Sequence, residues 1–386
     1  MPSSTSSSEN AYPAPKTEFF DPEHVERPIP ALPWRVVTLC VVAASALLTA
    51  GWEIYWRGKE FVAGDFKNTP ALWAEQRRKA TGDATVLIGS SRTLFDVDLD
   101  IWEEIAGVRP IQLALEGTSP RIFLKDLAED ENFHGMLIVG VTNVLFFTQE
   151  GGLREEVLKY ARDETPSQRA DHLMSIPLDR VFAFLDEQTR PKRQMNLAPL
   201  PLREGMKPRF NPRKLMILDR DRNSEMWSRV VNDEIFREEA KGQWLIALSQ
   251  GAPPPGPDGA PPPGMPDEAI NAIISGVKAN IDKIRARGGD VVFIQPPVAG
   301  PFAEAEQAGF PRERFWDRLL AGTDSAGVSF YDHPEMQNYD LPEWSHLSPP
   351  DAERYSRALV PLVYQALEQK KDARGADRPP AQKVRQ

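Results

Sequence analysis

Two short stretches, far apart in the chain, carry side chains suited to nucleophilic chemistry. The first is Val86-Leu87-Ile88-Gly89-Ser90-Ser91-Arg92, an apolar run that stops at a glycine and is followed at once by two serines and an arginine. A serine on a sharp turn at the carboxyl end of a strand is where α/β enzymes place a nucleophile, because the turn lifts the hydroxyl out of the sheet. The second holds His346 within Asp340-Leu341-Pro342-Glu343-Trp344-Ser345-His346-Leu347-Ser348. A serine hydroxyl attacks poorly at neutral pH unless an imidazole takes its proton and a carboxylate fixes that imidazole's tautomer. The bland readings stand beside this one. Ser90 and Ser91 also suit a plain turn or a helix cap, and Arg92 suits either an anionic substrate or a neighbouring carboxylate. The acidic run Asp96-Val97-Asp98-Leu99-Asp100 lacks the glycine and terminal glutamate of a calcium loop and reads as a solvated loop.

The elements that must position these residues follow from the pattern. Strand-like runs occur at Thr85–Ile88, Ile111–Leu115, Met136–Val141 and Val291–Ile294, separated by helix-like segments such as Arg121–Glu129 and Ala269–Arg287. In the last of these, Ile270, Ile273, Ile274, Val277, Ile281 and Ile284 recur at helical spacing and read as core, and Gly288-Gly289 stops the helix. Short apolar strands alternating with helices predict an α/β fold with a parallel sheet covered on both faces. Residues 83–149 and 269–368 form its two halves, with a helix-like Ala352–Leu367 near the end. Residues 150–268 interrupt the rhythm as an insertion or cap. It holds helical pieces around Leu153–Arg162 and Met226–Leu248 and a proline-rich run, 252–264, with the character of an exposed polyproline loop.

The amino-terminal 82 residues of the chain read differently. Residues 1–33 are rich in Ser, Pro and Glu and predict a disordered tail, as do the charged residues 369–386. Residues 34–56 carry no charge between Arg35 and Glu53, close to the ~17-residue minimum for crossing a bilayer. Trp34 at one end and Trp52, Tyr55 and Trp56 at the other suit the aromatic belts of a membrane. A cleaved signal peptide fits less well, because the apolar core begins far from Met1. This predicts a single-pass anchor with the large domain outside the cytoplasm (in the periplasm), followed by a juxtamembrane helical segment over 57–82. The net charge of -10 argues against nucleic acid as a partner. The sole cysteine, Cys40, excludes an intrachain disulfide and a Cys/His zinc cluster.

At four blocks the chain resembles the SGNH/GDSL hydrolase superfamily: Gly89-Ser90-Ser91, Gln112–Pro120 around Gly117, Leu137–Phe147 around Asn143, and Asp340–Pro349 around His346. The likeness is closest to membrane-anchored members with a Gly-Ser-Ser turn. It implies Ser91 as nucleophile, His346 as base, and an oxyanion hole from the backbone N–H groups of Ser91 and Gly117 with the Asn143 amide. Glu343 stands three before His346 where the family carries Asp, and Asp340, six before, is the alternative acid. Arg92 is a candidate substrate contact. No metal or organic cofactor is implied. The resulting expectation is a serine esterase or O-acyltransferase acting on acyl or acetyl esters of cell-envelope glycans or lipid-linked substrates. The alternative is a non-catalytic member that binds an envelope glycan or a partner membrane protein.

Overall fold

A computed structural model of the chain describes residues 33–148, 154–197, 205–206, 208–251 and 264–376. The expected amino-terminal tail (apart from residue 33), nearly all of the proline-rich run and the last ten residues lie outside the described residues. The chain divides into two compact units, Met1–Trp52 and Glu53–Gln386. Helix α1, Trp34–Arg57, is long and apolar enough to cross a membrane by length and composition, a test that a signal sequence near the amino terminus also passes. Its last turn belongs to the second unit. There the Glu53 carboxylate accepts the N–H groups of Ala183 and Phe184, and Trp56 is buried with an edge-on contact to Phe61. Trp56 is therefore a core residue rather than part of an aromatic belt.

The second unit is built on a parallel sheet of β1 Val86–Ile88, β2 Ile111–Gln112, β3 Met136–Gly140, β6 Asp290–Gln295 and β7 Ala326–Ser329, in the order β2-β1-β3-β6-β7. Alternation along each strand divides the side chains between two cores. Val86, Ile88, Leu137, Val139, Val291 and Phe293 face one, and Leu87, Ile138, Val292 and Ile294 face the other. The first core is closed by α2 (Pro70–Arg77), α5 (Arg121–Glu129), α10 (Asp267–Ala286) and α12 (Trp316–Thr323). The second is closed by α4 (Leu99–Ala106) and α13 (Pro349–Ala376), with α11 (Gly300–Gly309) packed against it. Because both faces are buried, the strands are continuous apolar runs, which is why most of them could be read from the sequence. β7, Ala-Gly-Val-Ser, is too short and too weakly apolar to announce itself.

Three further expectations need correction. Residues 369–376 are not tail. Helix α13 runs on through them, and Lys370 and Arg374 pair with Asp324 while Lys371 pairs with Asp290. The span around Met226–Leu248 holds helical pieces as expected, a short one at Ser228–Asn232 and a long one after it, but its first residue is not helical. Ser224–Met226 is strand β5, paired antiparallel with β4 (Met216–Leu218), and α9 begins only at Glu234 and runs to Gly251. Within 57–82 the helical part is the end of α1 and α2, with α2 started by the Thr69 side chain accepting the Leu72 N–H. The region between β3 and β6 also holds α6 (Asn143–Thr148), α7 (Glu156–Asp163) and α8 (Pro166–Asp179), and it contributes Trp227, Val230, Phe236 and Ala240 to a third apolar cluster.

Candidate active site

The strand order reverses at β1 and β3, where connections leave to opposite sides of the sheet. The gap beyond their carboxyl ends is the place where open α/β sheets bind ligands. Both Gly89, after β1, and Gly140, at the end of β3, are needed for space. A Cβ at either would lie 2.1 and 1.7 Å, respectively, from the Thr93 hydroxyl oxygen. Without side chains at these positions the short helix α3, Ser91–Asp96, settles directly onto the strand ends. Across the gap, the hydroxyls of Ser90 and Thr142 are hydrogen-bonded at 2.7 Å. Ser90 thus ties the turn together and leaves Ser91 as the half-buried serine of the pair.

A cavity of about 750 Å³ opens here, and Ser91, Gly117, Thr142 and His346 all line it. Gly117 has φ 59°, a left-handed conformation that glycine adopts without strain. Among the described residues, no hydrogen bond uses the hydroxyl of Ser91 or the backbone N–H of Ser91 or Gly117.

The opposite wall is the loop before α13. Glu343 is wholly buried and His346 is 1% exposed. One Glu343 oxygen accepts both the His346 backbone N–H at 2.7 Å and the ring Nδ1 at 2.8 Å. The other accepts the indole N–H of Trp244, from α9. Trp344, between Glu343 and His346 in the chain, has φ 75°, a costly conformation for a bulky residue. That turn folds the loop so that residues three apart face each other, and local strain of this kind is characteristic of functional sites. With Nδ1 bound to the carboxylate, Nε2 is the ring atom left over. It is buried and has no hydrogen-bond partner.

Helix α3 connects the two walls. Phe95, one turn after Ser91, stacks on the His346 ring with centroids 4.1 Å apart. Asp96 accepts the Leu347 N–H at 2.9 Å. Asp96 is wholly buried, and burial pushes its carboxyl well above the usual range, against the opposing pull of the Leu347 bond and Arg92. The expectation of a solvated acidic loop fails at this residue. It holds for Asp98 and Asp100 only in part, since Asp98 caps α4 and Asp100 pairs with Arg109.

The candidate residues therefore sort as follows. Ser91, Gly117, His346 and Glu343 come together around one cavity. Asp340 does not join them. It is exposed and joins the loop through its backbone, its N–H donating to Asp351 and its carbonyl accepting from Ser348. Asn143 is buried at the start of α6, outside the cavity wall, with its Oδ1 unpartnered, and Thr142 and Val144 stand in the wall on either side of it. Strand β3 ends at Gly140, and of the residues that follow it is Thr142 rather than Asn143 that lines the cavity. Arg92 lies in the wall, but its charge is matched by Glu306 at 2.6 Å, which favours the carboxylate reading of this arginine.

The other basic residues of the wall are likewise paired: Lys67 with Asp179, Arg154 with Glu116, Arg213 with Glu239, and Lys214 with both Asp65 and Asp186. Burial raises the Asp65 carboxyl to about 6 despite the adjacent ammonium, with Asp186 adding to the shift. Trp244, Thr142 and the Lys214 cluster carry no sequence signal of their own. Asp96 carries one, its place one helical turn beyond Arg92 on the helix that starts at the serine. Among the described residues no cluster of His, Cys, Asp and Glu has the arrangement of a metal site. No protein-family model matches the chain, and no curated protein matches it.

Proposed function

We propose that this chain is an SGNH-like serine acyl hydrolase or acyltransferase. The observation that carries the reading is the buried Glu343–His346 pair, whose Nε2 is unpartnered and whose His346 lines the same cavity as Ser91 from the opposite wall. In the proposed step the Ser91 oxygen forms a bond to an ester carbonyl carbon while its proton passes to His346 Nε2. Glu343 holds the tautomer and stabilises the imidazolium. The carbonyl electrons move onto oxygen, which faces the N–H groups of Ser91 and Gly117. Collapse breaks the C–O bond, and the leaving alkoxide takes the proton back from His346. Water then releases the acyl group as acid, or a sugar hydroxyl accepts it as a new ester, with His346 again the base. His346 Nε2 has no hydrogen bond to Ser91 in this structure, and such bonds commonly tighten only in the substrate complex.

With α1 as anchor, the domain lies outside the cytoplasm and works on acyl esters of envelope glycans or lipid-linked substrates. The test is turnover of an aryl ester by the full chain. Activity that disappears in Ser91→Ala and His346→Ala supports the reading, and activity unchanged in Ser91→Ala refutes it. The open Ser91–His346 contact and the retreat of Asn143 favour a second reading, a non-catalytic glycan- or protein-binding domain. That reading predicts no Ser91-dependent turnover in a folded sample.

A further inference from the structure

The chamber beyond the serine and histidine is larger than an acetyl group requires. Its volume, about 750 Å³, corresponds to roughly 25 molecules of liquid water at ~30 Å³ each and falls within the range of sites that engulf a drug-sized ligand. Away from the catalytic loop the lining includes a set of apolar side chains, Val144, Leu145, Phe210, Leu215, Met216 and Ala247, beside charged ones. Val144 is 40% exposed, an aliphatic side chain left open at the ligand-binding edge. The basic groups of this wall are each matched by a carboxylate of the protein, so little net charge is offered to an anionic ligand. A largely apolar cleft with internally neutralised charges suits an uncharged aliphatic chain.

Resting on the acyl-transfer reading above, we propose that this chamber is an acyl pocket for a long aliphatic chain. The site then takes esters of about eight carbons or more in preference to acetyl esters. A smaller cavity of about 190 Å³ shares Gln188, Arg213 and Lys214 with the chamber and reaches Tyr55 and Trp56, in the last turn of α1. This favours a chain delivered by a membrane lipid over one from a soluble ester, although both present the same chemistry to Ser91.

The experiment uses the full chain in discs of phosphatidylethanolamine and phosphatidylglycerol. Each buried methylene is worth about fourfold in transfer to an apolar site. The octanoyl aryl ester should therefore exceed the acetyl ester at least tenfold in kcat/KM, in a Ser91-dependent way. Ala247→Phe and Val144→Phe, which fill the chamber, should each reduce that ratio severalfold. A Ser91-dependent activity that is equal on both esters, or better on acetyl, overturns the acyl pocket while leaving the serine reading intact. Calorimetric binding of octanamide against acetamide tests the pocket with no catalysis involved. Octanamide binding that weakens in Ala247→Phe supports the pocket even if every ester is inert and the serine reading fails. Equal binding of the two amides overturns it. An octanoyl or longer adduct on Ser91 formed from disc lipids alone assigns the membrane as source, and one formed only after adding aryl ester assigns a soluble donor.

Discussion

The two walls of the cavity are built in different ways. The wall that carries His346 is closed by contacts within the protein. Its carboxylate is buried, three hydrogen bonds converge on Glu343, Phe95 stacks on the imidazole, and a strained residue sets the turn. The wall that carries Ser91 is open, with its hydroxyl and the nearby N–H groups of Ser91 and Gly117 uncommitted to any protein partner. A buried ionisable pair is costly to assemble and so must be preorganised by folding. Groups meant to meet a changing ligand must instead be left unsatisfied until it binds. The contrast separates the residues that hold the site from those that would react.

The largest effects should come from breaking the link between the walls. Replacing Ser91 or His346 with alanine should lower ester turnover by at least about 10³-fold, measured as kcat/KM on an aryl ester. Glu343→Gln keeps the shape but loses the charge that fixes the tautomer, and should cost on the order of 10³-fold or more. Asn143→Ala, outside the cavity wall, should change kcat/KM less than tenfold, whereas removing a true oxyanion donor costs about 10²- to 10³-fold. The same assay run on these variants therefore separates Asn143 from the proposed catalytic residues.

Trp244→Phe retains the aromatic packing and removes one hydrogen bond to a charged acceptor, worth about 1.5–3 kcal/mol. We expect roughly a tenfold loss or more in kcat, with the fold retained by circular dichroism. An unchanged kcat would mean that the insertion only covers the site and does not help to hold it.

The smallest effect concerns stability on the chamber's far side, where Lys214 lies between Asp65 and Asp186. Asp65 titrates near 6 in the folded chain, above its ordinary value of 3.8. The folded state therefore binds more protons than the unfolded state over that interval, and this group's contribution to stability is lost as pH rises from about 4 to about 6. Urea midpoints at the two ends of the interval should show that loss in the wild type and a smaller one in Asp65→Asn.

Much of the scaffold was legible in the sequence, and the insertion was not. β1, β3 and β6 are buried on both faces, so they read as apolar runs, and the isoleucine stripe located α10 to within two residues at its start. The Gly-Ser-Ser turn and His346 were legible because each sits at the boundary of such an element. Trp244 was not, because its role depends on a contact with Glu343 across 99 residues, and no local pattern encodes that contact. The β4–β5 hairpin was hidden for a related reason. Its strands are three residues each, too short for a period-two pattern to be distinguished from a helix. Asn143 lies outside the cavity wall because a motif fixes the order of residues, while the turn after the strand decides which of them faces the cavity.

The central claim is that Ser91 is a nucleophile activated from the opposite wall. It is tested most directly by treating the folded full chain with a fluorophosphonate and locating the adduct by peptide mass spectrometry. The account predicts one adduct, on Ser91, that forms much more slowly in Glu343→Gln and is absent in Ser91→Ala. No adduct in a folded sample, or one that persists in Ser91→Ala, would contradict it.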